Sequence, residues 1–364
     1  MKGYPFHDGP LFARNQWYLA AWTTEIGHTP VARRILNQDV ILFRTTEDKV
    51  AALSGVCPHR WMPLARAEIT QDLISCPYHG ARFDHQGTCV AVPRQDRVPP
   101  GFGLRRYPVV VVGPCVWIWP GEADRADPSL LPDSMSLGLG RAGWRTDLSH
   151  PFRLGARAQL LIENLFDEEH INVVHPATLG GCQADVFRDA EITDTPDRFA
   201  MTHRTAPTPV DAAMRALFAG LGSHACSDLT IELLGVSLVN NIGSRTYSAD
   251  ASGAPQRLMG QMNFIHAITP ETDTTTHYFL AQTRDFNVED ADLSTLFSER
   301  NAKIVAEDAA ILEALEPMID DWGDARQETS FATDAIAMRL RHRIRRIIAG
   351  DRAEVASDHT ALGG

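Results

Sequence analysis

The sequence lacks any stretch long and apolar enough to span a bilayer, which takes about 18 residues. Its strongest apolar run, 109–119, is strand-sized and broken by Gly113-Pro114. The opening MKGYPFHDGPLFARNQW has neither the apolar core nor the small-residue cleavage site of a secretory signal. Cysteine is scarce, six in 364 residues, and its scatter does not read as a disulfide framework. Basic excess is missing too. A formal net charge of −12 argues against nucleic-acid binding and for solubility. No internal repeat or low-complexity tract occurs. A soluble cytoplasmic protein, neither membrane-bound nor nucleic-acid-binding, is therefore expected, and its 44% hydrophobic content suffices for a sizeable core. Cys89, Cys115, Cys182 and Cys226 are expected to be buried reduced thiols.

The charge is unevenly spread. Arg60, Arg66, Arg82, Arg94, Arg97, Arg105 and Arg106 make one region basic, residues 289–328 are acidic, and residues 339–346 form a basic amphipathic segment.

The first third reads as β-structure. Segments 40–44, 50–53, 88–92 and 109–112 are short, β-rich and punctuated by Gly and Pro, as a small barrel or sandwich requires. A linker-like stretch follows in 120–133, and the domain boundary is expected near 120–145, giving domains at 12–125 and 140–350. Beyond it, helices are expected over 159–174, 212–219, 299–319 and 333–348. Strands are expected over 229–242, 261–268 and 277–283. The second part is thus α+β, an antiparallel sheet with helices against it.

Two short pairs stand out in the β-rich part: Cys57-Pro58-His59 and Cys76-Pro77-Tyr78-His79. They offer two thiolates and two imidazoles on two stiffened loops, since proline follows each cysteine. A [2Fe–2S] cluster with two cysteines on one iron and two histidines on the other needs that set. Cys₂His₂ also suits tetrahedral zinc, although zinc fingers usually keep cysteine with cysteine and histidine with histidine within each short pair.

A second constellation lies in Glu163-Asn-Leu-Phe-Asp167-Glu-Glu-His170-Ile-Asn-Val-Val-His175-Pro176. On a regular helix His170 and His175 would point about 140° apart. They can share a metal only if the helix distorts or ends between them, and Pro176 favours an end there. Asp167 and His170 would share a helix face, making Asp167 a ligand or an outer partner. Beside an electron-transfer cluster, a His/His/carboxylate set points to a facial iron(II) triad with coordination positions open for oxygen.

The two motifs together, with Asn15-Gln-Trp17-Tyr18, Trp117-Ile-Trp-Pro-Gly121 and Glu307-Asp308-Ala-Ala-Ile-Leu-Glu313, resemble the oxygenase components of Rieske non-haem iron oxygenases. The likeness is to the branch that includes the vanillate and dicamba O-demethylase oxygenases. The resemblance implies an all-β N-terminal Rieske [2Fe–2S] domain followed by an α+β catalytic domain carrying mononuclear iron. It implies that Cys57, His59, Cys76 and His79 hold the cluster and that His170, His175 and Asp308 hold the iron. Glu307, Glu313 and Glu316, the acidic neighbours of Asp308, read as a solvated face. Asp167 matches a bridging carboxylate between a subunit's own His170 and His79 of the next subunit in a head-to-tail homotrimer.

It further implies a monooxygenase using O₂, with electrons from NAD(P)H through a flavin reductase and/or ferredoxin. Its expected reaction is oxidative O-demethylation of a small aromatic substrate, with release of formaldehyde. The alternatives within the family are ring hydroxylation, dihydroxylation or N-demethylation. A pure electron carrier would leave the long second part unused. Arg60, Arg82 and Arg97 are expected to steer an acidic ferredoxin, and the C-terminal arginines could join them. His266 matches a substrate-contacting position of that branch and is the pocket candidate, with Asn240, Asn241 and Asn263 as polar neighbours. The apolar stretch 206–239 is expected to line the pocket. A tryptophan that encloses substrate in the dicamba enzyme has no counterpart in residues 297–303, which makes dicamba itself doubtful as the substrate.

Overall fold

The computed structural model describes residues 5, 11–179, 189–250, 252, 254–322 and 328–361. Cys182 lies outside the described residues. Cys89, Cys115 and Cys226 are buried, as expected, and the cluster candidates Cys57 and Cys76 are buried as well. Two compact units emerge: one built on Phe12–Leu131 with Thr269–Asp273, the other on Pro132–Ile268 and Thr274–Gly350.

The N-terminal unit is all-β. Val31–Ile35, Gln38–Arg44 and Val50–Ser54 form one antiparallel sheet, and Glu68–Thr70, Leu73–Ser75, Arg82–Phe83 and Cys89–Ala91 form another. A third sheet orders Tyr18–Trp22, Cys115–Ile118 and Val109–Val112. Two hairpins close on two-residue turns, Leu36-Asn37 and Gln71-Asp72, with positive φ at both positions. That twist matches the flanking strands. Phe43, Leu53, Leu64, Ile74 and Phe83 are sealed from solvent in one core that also holds Cys57 and Cys76.

The second unit carries an antiparallel sheet in the order Arg145–Leu148, Thr275–Arg284, Pro255–Thr272, Leu238–Ala249, His224–Leu234, Arg198–Arg204, Glu191–Asp194. The α+β class is as expected. The strand expected over 229–242 is instead a hairpin. The chain turns at Gly235, where φ is +58°, and apolar residues on both sides of the turn hide it from periodicity.

Five helices appear among the described residues: α1 (Ala158–Phe166), α2 (Ile171–Val174), α3 (Ala212–Leu217), α4 (Ala291–Trp322) and α5 (Ala335–Ala361). The single helix expected over 159–174 is broken in two. Asp167 leaves α1 in an extended conformation (φ −91°, ψ 124°), and its carboxylate accepts the Glu169 N–H at 2.9 Å. A side chain that caps the backbone two residues on competes directly with helix continuation.

Helix α4 presents Val305, Asp308, Leu312 and Glu316 as one buried stripe at helical spacing. Glu316 receives the Arg157 side chain at 2.9 Å, and Glu313 accepts the Gly155 N–H at 2.8 Å. Of the three glutamates expected on a solvated face, Glu313 is exposed, whereas Glu307 is half-buried and Glu316 is buried. The C-terminal arginines are not all free for a partner. Arg341 pairs with Glu163 and Glu328, and buried Arg343 pairs with Asp194, while Leu340, Ile344 and Ile348 pack inward. No described helix is long and apolar enough to cross a membrane.

Candidate functional site

The two cysteine loops share one construction. Cys57 N–H donates to the Met62 carbonyl at 2.9 Å, and Cys76 N–H donates to the Ala81 carbonyl at 2.8 Å. One residue before each acceptor, Trp61 (φ +54°) and Gly80 (φ +73°), the backbone is left-handed. Two matched loops thus face each other. Their cysteines point into the core, and their histidines lie exposed with ring centroids 4.6 Å apart. Burial pushes the Cys57 thiol up to about 11 against the opposing His59 N–H, with neighbouring Cys76 pushing it further. A thiol so placed ionises at neutral pH only beside a bound cation. Thiols segregated inside and imidazoles outside suit a cluster that puts cysteines on one iron and histidines on the other.

In the second unit, the ligand atoms of His170, His175 and Asp308 all lie within 4.8 Å of one another, the one such set among the described residues. His170 caps the start of α2 and His175 its end, so a single helical turn separates them and their rings sit 5.2 Å apart. The helix does end between the histidines as expected, at Val174, with His175 out of helical geometry (φ −113°, ψ 40°), and an additional break at Phe166 separates both from α1.

Asp308 Oδ1 stands 3.0 Å from His175 Nε2 and 3.4 Å from His170 Nε2. Asn164 Nδ2 donates to the same oxygen at 3.2 Å. Each histidine turns its other nitrogen outward to a carboxylate. His175 Nδ1 meets Glu307 at 2.7 Å, and His170 Nδ1 lies 3.4 Å from Asp167. Asp167 and His170 thus meet across a turn and do not share a helix face.

Burial opposes the charge on His170, but Asp167 and Asp308 overcome it and lift its pKa to about 9. Asp167 is raised by burial yet ends below the usual carboxylate range, because His170 and the Glu169 N–H favour its charged form. Glu307 is lowered by Thr178, whose hydroxyl donates at 2.5 Å, and then by His175. Two imidazoles and one carboxylate converging on a point, with Asn164 Oδ1 buried there and unbonded, fit a facial iron(II) triad.

A cavity of about 290 Å³ opens beside this set. Its walls are largely apolar, with Ile231, Ile242, Met262, Phe264 and Phe297 among them. His266 lines it, buried, with Nδ1 2.5 Å from the Tyr278 hydroxyl, and burial drives its pKa down to about 4. Asn241 lines the cavity while donating to the Leu165 carbonyl. Asn240 and Asn263 are tied to Glu232, Leu137 and Thr283 instead. Of the stretch 206–239, Ile231 alone reaches the cavity; α4 supplies the wall expected there. Sequence reasoning missed Glu307, Thr178 and Arg300. Only the helical spacing of Asp308 with Val305 and Leu312 signalled which way α4 faces.

Two family models match the chain: a Rieske [2Fe-2S] domain over residues 16–108 and a vanillate O-demethylase oxygenase C-terminal domain over 154–350. A putative toluene-4-sulfonate monooxygenase iron-sulfur subunit of Comamonas testosteroni is 32% identical over 89% of this chain and 94% of that protein. The dicamba O-demethylase oxygenase component of Stenotrophomonas maltophilia is 30% identical over 84% and 88%. The crystal structure of dicamba monooxygenase bound to 3,6-dichlorosalicylic acid superposes with a TM-score of 0.80 at 28% identity, covering 95% of this chain and 99% of that one. An iron–sulfur domain followed by an oxygenase domain defines a class of oxidoreductase, the oxygenase components of multicomponent systems, and the zinc alternative falls away. The chain belongs to the Rieske non-haem iron oxygenases whose catalytic domain is of the vanillate O-demethylase type.

Proposed function

We propose that this chain is the terminal oxygenase of a cytoplasmic multicomponent monooxygenase that removes a methyl group from an oxygen of a small aromatic substrate. In this reading Cys57, His59, Cys76 and His79 hold the Rieske cluster, and His170, His175 and Asp308 hold iron(II). The observation that carries it is the convergence of those last three residues beside an apolar cavity, in a chain that has a Rieske domain. Relatives named for O-demethylation of dicamba and of vanillate support the choice of reaction.

When bound, the iron supplies oxygen activation, drawing on electrons that reach it through the cluster. One O₂, one NAD(P)H and one proton are consumed per methyl group. One oxygen atom enters a methyl C–H bond, the other leaves as water, and the hydroxymethyl ether breaks to a phenol and formaldehyde. The protein's own part is positioning. Glu307 keeps the proton of His175 at Nδ1, leaving Nε2 free to ligate, and Asp167 does the same for His170. Asn164 steadies Asp308 by donating to Oδ1. The apolar walls hold the ring and exclude water.

Asp167 is 47% exposed, which leaves its carboxylate open to a second partner. Exposed His79, with Trp61 and Tyr78 beside the cluster loops, offers the complementary surface. These features support a head-to-tail homotrimer in which Asp167 links its own His170 to His79 of the neighbouring copy. Exposed Arg60, Arg82 and Arg97 would steer an acidic ferredoxin or a flavin reductase to the same domain. A panel of methoxylated aromatics with a surrogate NADH reductase tests the reaction. Formaldehyde equimolar with the phenol is expected; a product with its methyl intact and a new ring hydroxyl would replace O-demethylation by ring hydroxylation.

A further inference from the structure

We infer that Ile242 sets the size of ring the cavity admits, and that the sheet is deformed to put it there. The inference rests on the O-demethylase reading above, whose substrate is a small aromatic ether, and names the residue that keeps it small.

Most cavity residues arrive by ordinary periodicity. Met262, Phe264 and His266 are alternate residues of the strand Pro255–Thr272, as one face of a strand supplies. Phe297, Asn301, Ile304 and Asp308 recur on α4 at steps of three and four. The strand Leu238–Ala249 departs from this rule. Asn241 and Ile242 are consecutive, yet both line the cavity. Consecutive strand residues point to opposite faces, so one of the two has been re-aimed.

A bulge does this. Asn240 pairs with Ile265 and Ser244 with Met262, so four steps on this strand meet three on its neighbour. On the other side Gly243 pairs with Thr230 and Asn240 with Glu232, three steps against two. One extra residue is thus taken up against both neighbours, and Ile242 adopts a left-handed φ of +53°. Of the nine non-glycine residues with positive φ among those described, it alone has a β-branched side chain, for which this region is a genuine outlier.

The deformation is held on several sides. Asn241 donates its amide at 3.0 Å to the Leu165 carbonyl, in the last turn of α1 where carbonyls lack helical partners. Asn240 donates to Glu232 at 3.0 Å and to Asn263 at 3.1 Å. Gly243 lies so close to both asparagines that a Cβ there would collide with them. A strained residue persists only where its surroundings over-determine it, and such strain gathers at ligand sites. What it delivers here is a stiff wall. Branching restricts χ1 of isoleucine, whereas the unbranched Met262 of the same cavity can bend to fit. A larger ring therefore meets Ile242 as a fixed limit.

Two truncations, Ile242→Gly and Ile242→Ala, separate strain from packing, since they differ by one methyl group. In an unstrained strand the alanine variant would be the more stable; at φ +53° the order reverses. Ile242→Gly should therefore unfold at a higher urea concentration than Ile242→Ala. Anaerobic calorimetry on the holoenzyme without reductant, with methoxybenzene and 2-methoxynaphthalene as probes, reads the size limit apart from turnover. Both truncations should raise the affinity for the bicyclic ether relative to the monocyclic one by ~10-fold. Ile242→Val, which keeps the branch and decides the matter should the truncations fail to fold, should raise it by less. A more stable alanine variant overturns the inference, and so does an unchanged ratio in every variant that folds. Shifted ratios without formaldehyde from either ether keep the limit and sink the O-demethylase reading. Formaldehyde from methoxybenzene with unchanged ratios does the reverse.

Discussion

His170 and His175 present Nε2 to the same point, but their outer nitrogens end very differently. The His175 side chain is 2% exposed, and its Glu307 partner is itself held by the Thr178 hydroxyl. That arm is finished within the chain. His170 ends on Asp167, at a longer distance and with nearly half of that carboxylate in solvent. One arm is built to fix a ligand. The other leaves an acceptor over for something the chain does not itself supply at that position. The difference separates two tasks that sequence proximity merges: keeping a metal, and connecting it.

Breaking the open arm should have the largest effect. Asp167→Asn is expected to abolish formaldehyde formation, beyond the roughly 100-fold that an outer partner commonly costs, while iron analysis still finds about three irons and two acid-labile sulfides per chain. Wild-type turnover in that variant would end its linking role. A third histidine sharpens the contrast, because His266 has no carboxylate arm and burial depresses its pKa to about 4. Unfolded, it titrates near 6.5. Its contribution is present above that value and is lost as pH falls from 6.5 toward 4, by an amount on the order of 3 kcal/mol. Chemical denaturation across that range should show the decline, and His266→Gln should flatten it.

Glu307→Gln, on the closed arm, is expected to weaken iron about 10-fold, read by metal retention against a chelator, with Asp167→Asn retaining iron in the same assay. Equal iron loss from both variants would erase the distinction between the arms. The smallest effect belongs to Thr178→Val, which removes one hydrogen bond to Glu307, worth about 1 kcal/mol, and should loosen iron several-fold in that assay.

Legibility in the sequence followed contour length. Each cysteine loop is complete within six residues from Cys57 to Met62 or Cys76 to Ala81, so its cluster motif could be read directly. His170 and His175 were visible for the same reason, although the Asp167 turn that reorients them was not. Glu307 meets His175 across 132 positions, and nothing local marks which acidic residue of α4 will do so. A run such as Glu307-Asp308 reads as surface until the stripe of Val305, Leu312 and Glu316 shows which way the helix faces. The hairpin at Gly235 escaped because buried strands on both sides give a continuous apolar pattern. Turn residues and β-rich runs marked Gln38–Arg44, Val50–Ser54, Cys89–Ala91 and Val109–Val112, but not Tyr18–Trp22, whose partner Cys115–Ile118 lies nearly a hundred positions on.

The turn at Leu36-Asn37 has a consequence for anyone recombining these oxygenases. Its two backbone N–H groups donate to the carbonyls of Pro270 and Glu271, at 2.9 and 3.0 Å, and the Thr269 hydroxyl donates to Leu19. Residues Thr269–Asp273 therefore travel with the N-terminal unit although they are encoded more than a hundred codons after it. A graft cut cleanly at residue 131 would leave the N–H groups of buried Leu36 and of Asn37 without these acceptors. Chimeras that exchange the loop 269–273 along with the first 131 residues should express as folded protein where the simple cut aggregates.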